Sequence, residues 1–421
     1  MKQPSQKIFY GWWIVLASFL ILSFTSMTGS YGLSLFYKRL IDYFGWSRTA
    51  LAGAISLSRL ETGFLAGIEG FLVDRFGARR MILLGIILSS IGMIILSLIQ
   101  SLLAFYLVFV ILITFGRSLS SMVAIDTTIA NWFIRRRGTA FGLLRTAVAV
   151  GAAGVIVVAW FIDQYGWRTT FVAIGIATFI LGIPTSLVIR HRPEQHGLLP
   201  DGDTETNEVK NGNNNYDEED VYPEEKTDIG MSVMKALTSK PFWTLSSGFG
   251  IRIMVTSAAT LHAIPLVEDI GYSQTVAAAV LGSMGMVSII GRLGGGLLND
   301  YIGTKRVAVG SVCALAISCV ILAYSQNIWH IWLFVAVYAP SYGCSAATMP
   351  AIKGDYFGRL NYGSIVGLSG MVQMAGSMLG PIFAAYVFDT TGDYRFAFLT
   401  FAVLLSISAG LFATLSAPRY R

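Results

Sequence analysis

The fold predicted from the sequence is all-α and membrane-embedded, with twelve transmembrane helices in two pseudo-symmetric six-helix bundles. Three observations predict it. Of 421 residues 54% are hydrophobic and only 13% charged, with a mean hydropathy of +0.63, outside the range of soluble globular chains. Twelve apolar stretches of 18 residues or more, bounded by charged or turn-forming residues, are each long enough to cross hydrocarbon. A glycine-rich, charged turn occurs twice, with Asp74 and Asp300 separated by 226 residues, as a duplicated architecture requires.

Taken in order, the spans lie near 10–37, 49–73, 80–99, 103–131, 139–162, 169–189, 241–266, 275–298, 307–325, 329–352, 363–388 and 396–416. The first runs from Tyr10 into Tyr31 and Phe36 without a small-residue cleavage site, so it is expected to remain as a helix rather than to be removed as a secretory signal. The second ends in Gly70-Phe-Leu-Val-Asp74-Arg75-Phe-Gly77-Ala-Arg79-Arg80. These charges must sit where headgroups and water solvate them, and Gly77 permits the sharp reversal into the third span. The eighth span ends in the second copy, Gly296-Leu-Leu-Asn-Asp300-Tyr-Ile-Gly303-Thr-Lys305-Arg306.

Other pairs repeat at nearly the same offset. Gly45-Trp46-Ser47 recurs as Gly271-Tyr272-Ser273, and Phe161-Ile-Asp163 with Arg168 recurs as Val387-Phe-Asp389 with Arg395. Trp132-Phe133 before Gly138 and Gly142 is answered by Tyr356-Phe357 before Gly363 and Gly367. The halves are therefore expected at residues 1–190 and 240–421. Between them, residues 191–239 are expected to be a disordered acidic linker: residues 194–228 hold 12 of the 24 acidic groups and almost no large apolar side chains. A calcium- or partner-binding acidic patch is the alternative reading of that run.

Short loops on the Asp74 side carry ten basic residues (Arg75, Arg79, Arg80, Arg135, Arg136, Arg137, Lys305, Arg306, Lys353, Arg359) and the opposite side five (Lys38, Arg39, Arg48, Arg168, Arg395). The positive-inside rule then expects both termini and the Asp74 loop in the cytoplasm of a cell-membrane protein. Cys313, Cys319 and Cys344 fall inside apolar runs without metal-ligand spacing, so neither a disulfide, a metal nor another cofactor is expected.

Function is carried by ionisable residues inside the apolar runs, where a charge costs several kcal/mol unless it is paired or faces water. These are Arg59, Glu61, Glu69, Arg117, Asp126, Arg145, Arg252, His262 and Arg292, five arginines against three carboxylates. The imbalance becomes favourable if a cavity receives an anion, which a planar guanidinium can grip in bidentate fashion. Arg59 and Glu61 lie about 200° apart round their helix, and Arg117 and Asp126 about 180°, so each arginine needs a partner elsewhere. Glu61 admits two readings, a proton-coupling carboxylate or an interhelix salt bridge. His262 could titrate near neutral pH or simply bond a neighbour. Asp126 is a further proton-coupling candidate. Glu69, near the turn, is expected to help hold it, and Arg145 to snorkel to the rim.

Arg292 lies about 12 Å inside the Asp300 end, the depth of a transporter's central site. Ser288 is one turn earlier, and Gly291, Gly294, Gly295 and Gly296 allow close backbone approach. Arg252 is expected near mid-membrane with Thr256 on its face, and Tyr338, Tyr342 and Gln373 near the cavity.

The double turn resembles the loop signature between helices two and three of the major facilitator superfamily, and its weaker echo between helices eight and nine. That resemblance implies the major facilitator fold, and for Gly70, Asp74, Arg75, Gly77, Arg80, Asp300, Gly303 and Arg306 a conformational rather than substrate-binding role. Tyr10-Gly-Trp-Trp, Trp132-Phe-Ile-Arg-Arg-Arg-Gly-Thr-Ala-Phe-Gly142 and Gly291-Arg292 are similar to motifs of the monocarboxylate transporters and oxalate/formate antiporters. In that group the helix-eight arginine partners the substrate carboxylate, which implies the same for Arg292. The chain departs from the group in three places. Ser288 replaces the aspartate of the animal transporters, Tyr31 stands nearest their helix-one lysine, and Gln373 is the long polar residue where the oxalate antiporters add a lysine. A second clamp would have to come from Arg59, Arg117 or Arg252.

These readings converge on a secondary transporter of small organic anions, monocarboxylates in particular, driven by a proton or substrate gradient. No phosphate-binding glycine loop ending in Lys-Ser/Thr is present. A proton-coupled exporter of amphipathic compounds and a non-transporting sensor are the alternatives. A membrane enzyme would need a nucleophile with its base, or a metal cluster, which the spans lack. The expected partners are a small anion and membrane lipid, with no nucleic acid, for a monomeric chain.

Overall fold

The computed structural model describes residues 9–31, 33–120, 122–202 and 230–416. In chain order the helices are α1 (Tyr10–Thr25), α2 (Leu33–Phe44), α3 (Arg48–Phe76), α4 (Ala78–Leu96), α5 (Leu102–Leu107), α6 (Phe115–Leu119), α7 (Met122–Trp132) and α8 (Arg137–Val188). After them come α9 (Val233–Leu237), α10 (Lys240–Asp269), α11 (Gln274–Ile302), α12 (Thr304–Ala323), α13 (Ile328–Phe357), α14 (Tyr362–Thr391) and α15 (Arg395–Ala413). Among the described residues, nine helical stretches are both long and apolar enough to span a bilayer. One of these, α8, has 52 residues and breaks at Gly166, whose φ of 77° makes it two crossings. Two more helices, α3 and α13, have the length to cross, but their polar residues lower their mean hydropathy below that of the nine. The result is the twelve crossings expected.

Helix boundaries follow from the turn residues. Ser47, Ser101, Ser232, Ser239 and Ser273 cap helix starts by accepting backbone N–H groups through their hydroxyls. Gly77 and Gly303, with φ of 87° and 98°, make the two signature turns. Helix α3 runs three residues beyond the expected 73, so Asp74 and Arg75 belong to its last turn rather than to the loop.

The first and fourth spans are not uniform helices. Ser26–Tyr31 and Val108–Thr114 are π-helical, a conformation found mostly as local bulges at functional positions. At the first bulge Gly29 lies against the Arg117 guanidinium, so closely that a Cβ would fall 1.4 Å from Nη2. Arg117 donates to the Thr25 carbonyl from that seat at 2.8 Å.

A single apolar core runs from Met231 to Leu415 in the second half. The first half has two cores, one around Phe36, Leu51, Phe109 and Phe171, the other around Ile14, Ile125, Trp132 and Phe141. Ala351 and Tyr362 of the second half join the latter, which lies at the Asp74 end. The halves are thus fused through apolar packing where the signature turns lie.

Two expectations need correction, one about the connecting region and one about the loop charges. Residues 191–202 and 230–239 have defined positions, the first through specific polar contacts and the second through Met231 and Ala236, which join the second-half core, and a backbone bond. Asp201 accepts the backbone N–H groups of Ile134, Arg135 and Arg136, and Met231 N–H donates to the Phe357 carbonyl. The rest of the expected linker, residues 203–229, lies outside the described residues. Arg137 and Lys353 are not loop cations: each is 2% exposed. Without these two, the ten basic residues expected on the Asp74 side become eight, still more than the five opposite.

Candidate functional site

The charges buried between the halves form a chain of contacts at the Asp74 end. Asp126 of α7 and Arg145 of α8 pair at 2.5 Å, each 4% exposed. The Arg145 backbone carbonyl then accepts from Arg292 Nη1 of α11 at 2.6 Å, which carries the chain into the second half. Lys353 of α13 lies within electrostatic reach of Asp126 and Arg145. Burying such a pair is favourable only if every partner is present, since removing one leaves an uncompensated charge.

Within the second half, Arg252 donates from Nε to Ser345 Oγ at 2.9 Å and from Nη2 to the Tyr342 carbonyl at 3.0 Å. Its guanidinium carbon also lies 4.6 Å from the Tyr342 ring centroid, and that of Arg292 lies 5.8 Å from the same ring. Two cations from two helices thus lie over one aromatic ring, whose quadrupole attracts a cation at its face. Tyr342 stacks in turn on Tyr338, and Tyr338 on Phe334. Close backbone contact sets this geometry: a Cβ on Gly291 would fall 1.9 Å from the Pro340 carbonyl, and one on Gly343 would fall 2.1 Å from the Ser288 carbonyl.

Around this chain the signature aspartates join the halves symmetrically. Asp74 accepts from Gly363 N at 3.0 Å and from Ser364 N and Oγ at 2.7 Å each, at the start of α14. Asp300 accepts from Gly138 N at 2.7 Å, Thr139 N at 2.8 Å and Thr139 Oγ1 at 2.5 Å, at the start of α8. Each carboxylate caps a helix N-terminus in the opposite half, where orphan N–H donors and the helix dipole favour negative charge. Glycines permit both approaches: a Cβ on Gly70 would fall 2.1 Å from the Gly363 carbonyl, and one on Gly296 would fall 2.7 Å from that of Gly138. Arg137 adds an ion pair to Asp355 at 2.9 Å, and Arg359 one to Glu194 at 2.8 Å.

Several expected site residues are placed elsewhere. Arg75, Arg80 and Arg306 are exposed; among the described residues of the signature, Asp74, Asp300, Gly70 and Gly296 reach across the halves, while Gly77 and Gly303 make the turns. Ser288 is fully buried and donates to the Gly285 carbonyl of its own helix. Gln373 donates to Ser369 Oγ, which also accepts from Ser246, a contact that fastens α10 to α14. His262 lies 3.1 Å from both the Tyr394 hydroxyl and the Pro381 carbonyl, so both ring nitrogens are engaged in the core. Glu69 accepts from Ser118 Oγ inside the first half and does not hold the turn, and Arg145 is buried rather than snorkelling. Glu61 keeps a buried Oε2 that no described residue hydrogen-bonds. The side chains of Tyr31 and Arg59 lie outside the described residues.

Sequence reasoning missed Arg137, Lys353 and Asp355, which it read as loop residues or passed over. For Lys353 and Asp355 the signal was present: Tyr356-Phe357 aligns with Trp132-Phe133, which puts the residues just before it inside a span; for Arg137, which follows Phe133, the sequence held no such signal. The three cysteines are free, and no group of His, Cys, Asp and Glu among the described residues could hold a metal.

Comparison with known proteins agrees with the fold. The pattern of the Major Facilitator Superfamily matches residues 19–304 and 245–421. The chain is similar to human monocarboxylate transporter 2, 23% identical over 93% of this chain and 82% of that protein. It is as similar to the uncharacterised transporter YcxA of Bacillus subtilis, 23% identical over 94% of this chain and 93% of that one. Among solved structures, that of the human organic anion transporter MFSD10 superposes with a TM-score of 0.69 at 12% identity, covering 97% of this chain and all of the other.

Proposed function

We propose that this chain, which belongs to the major facilitator superfamily, is a secondary transporter of small organic anions that grips a carboxylate through Arg292. The observation that carries the reading is the convergence of Arg292 and Arg252 on Tyr342, beside a contact by which Arg292 reaches the first half, its hydrogen bond to the Arg145 carbonyl. A guanidinium stacked on a ring is held in orientation while its N–H fork stays matched to a carboxylate. The similarity to monocarboxylate transporter 2 supports a monocarboxylate as the substrate.

The cycle in this proposal uses the same contacts. With the Asp74 end closed, Arg292 donates to the Arg145 carbonyl. A bound carboxylate competes for that donor, and taking it removes one tie between the halves. Opening then requires Asp74 and Asp300 to release the helix starts they cap, so substrate binding and conformational change share one free-energy balance. Glu61, whose Oε2 is buried and not hydrogen-bonded by a described residue, is the carboxylate proposed to carry a coupled proton. The proposal also takes residues 1–190 and 240–421 as the moving halves of a monomer in the cell membrane, with both termini and the Asp74 end in the cytoplasm.

Counterflow of labelled organic anions in proteoliposomes tests this, with wild type beside Arg292→Gln at varied external pH. Uptake of a monocarboxylate that rises at acid pH and disappears in the variant is expected. Normal uptake in Arg292→Gln, or movement of neutral and cationic compounds only, refutes the anion reading.

A further inference from the structure

A cavity of about 580 Å³ lies outside the helix bundle at the Asp74 end, between the α3–α4 turn and the segment after α8. Its volume is that of a small-ligand pocket, but its lining is unusual. Five arginines border it: Arg75, Arg79 and Arg80 from the turn, Arg190 and Arg192 from the segment. His191 and His196 complete the basic wall, and the single carboxylate in the lining is Asp74. Both oxygens of Asp74 accept hydrogen bonds from the start of α14, and its charge also acts on Arg192, so one carboxylate is set against five guanidiniums.

Topology explains why arginines are on this side of the protein, since positive residues collect on one face of a membrane protein. It does not explain why five of them gather round one concavity, where like charges repel. Stacking holds part of the set in place. Arg75 lies over Phe71 and Phe76, and Arg190 over Tyr10 with its guanidinium carbon 4.6 Å from the ring centroid. The start of α4 opens onto the same space: Gly77 supplies no side-chain cap, and of the first-turn donors Ala78 N–H donates to His191 Nδ1. A cavity that combines guanidinium forks with a helix N-terminus matches a phosphate group, which accepts several charge-assisted bonds at once.

We propose that this cavity binds a phosphate-bearing anion, a lipid headgroup or a soluble phosphate ester, and that occupancy favours the state in which the Asp74 end is closed. The second part follows from the walls. Asp74, on one side, caps α14 of the second half, and Glu194, in the turn on the other side, pairs with Arg359 of the second half. An anion bridging the two walls holds in register the groups that tie the halves together, at a place remote from Arg292.

The test uses the purified full chain in a neutral detergent, with inorganic pyrophosphate as the probe and chloride of equal ionic strength as the reference. A saturable rise in the unfolding midpoint is expected for wild type and for Arg306→Gln, an exposed arginine of the other signature copy. The apparent affinity of Arg79→Gln/Arg190→Gln is expected to fall by about tenfold or more for each guanidinium removed. Spin labels at Leu198, in the segment that Asp201 ties to the first half, and at Met234, in the segment that Met231 ties to the second, report the separation of the halves in a background with the three cysteines replaced. Pyrophosphate is expected to enlarge the short-distance population in wild type and not in the double variant. In vesicles, an effect of phosphatidylglycerol over phosphatidylcholine without a response to pyrophosphate assigns the headgroup as the source, and the reverse assigns a soluble ester. Equal midpoint shifts in wild type and double variant would mean general screening and overturn the site, as would unchanged distances for the conformational part. The site also fails if wild type ignores pyrophosphate while a chain with Asp217–Asp220, Glu224 and Glu225 neutralised binds it, because the cavity would then belong to the chain's own acidic run.

Discussion

Replacing Asp74 by asparagine tests how the halves are held closed. The carboxylate accepts three hydrogen bonds at the start of α14, one on Oδ1 and two on Oδ2. Asparagine keeps one acceptor oxygen and presents an NH2 group to the remaining donors. At least one charge-assisted bond is lost, about 1.5–3 kcal/mol, together with about 0.3–1 kcal/mol of interaction with the helix dipole. The sum is near 3 kcal/mol, or about a 100-fold shift away from the closed Asp74 end. Asp300→Asn, which loses the equivalent bonds at the start of α8, should shift it by a similar factor. The two effects should be nearly additive, because the hydrogen bonds described for the two carboxylates go to different helices. Spin-label distances across the Asp74 end, measured in lipid without substrate, give both equilibria. An unchanged distribution in Asp74→Asn, or effects of the two variants that differ by more than tenfold, refutes the capping argument.

Three further outcomes are expected besides the counterflow loss in Arg292→Gln. In Gly29→Ala the new methyl group displaces Arg117, which lowers the unfolding midpoint; the double variant Gly29→Ala/Arg117→Gln should recover part of the loss, and no recovery would separate Gly29 from Arg117. Asp126→Asn strands Arg145 in the interior at a cost of about 3–5 kcal/mol, read in the unfolding midpoint, and adding Lys353→Met should restore part of it by removing a second buried cation. The His196 imidazole titrates below its ordinary 6.5 because desolvation, then Arg190, then Arg79 disfavour the imidazolium. Its charge therefore arrives at lower pH than for an unperturbed imidazole, and Arg79→Gln/Arg190→Gln should raise the titration midpoint seen by NMR back towards 6.5.

Much of the architecture was legible because hydrocarbon imposes a length and a polarity on every span, and because turns need glycine where φ is positive. The spans, the reversals at Gly77 and Gly303 and the repeat relating Asp74 to Asp300 are all properties of local sequence. So was the prospect that the buried arginines need partners on other helices. The identity of those partners was not legible. Asp126 meets Arg145 on the next helix, Arg292 meets the Arg145 carbonyl across the halves, and Arg252 and Arg292 meet at Tyr342. Helical periodicity gives the direction of a side chain from its own axis but nothing of the neighbour it faces. The same limit placed Ser288 and Gln373 at the site when each is satisfied within its own packing, and left Lys353 and Arg137 among loop charges when burial had claimed them. Sequence alone thus determined which residues cross the membrane and where the chain turns. Only the tertiary structure decided which charges are paired, because pairing depends on distances between helices that lie far apart along the chain.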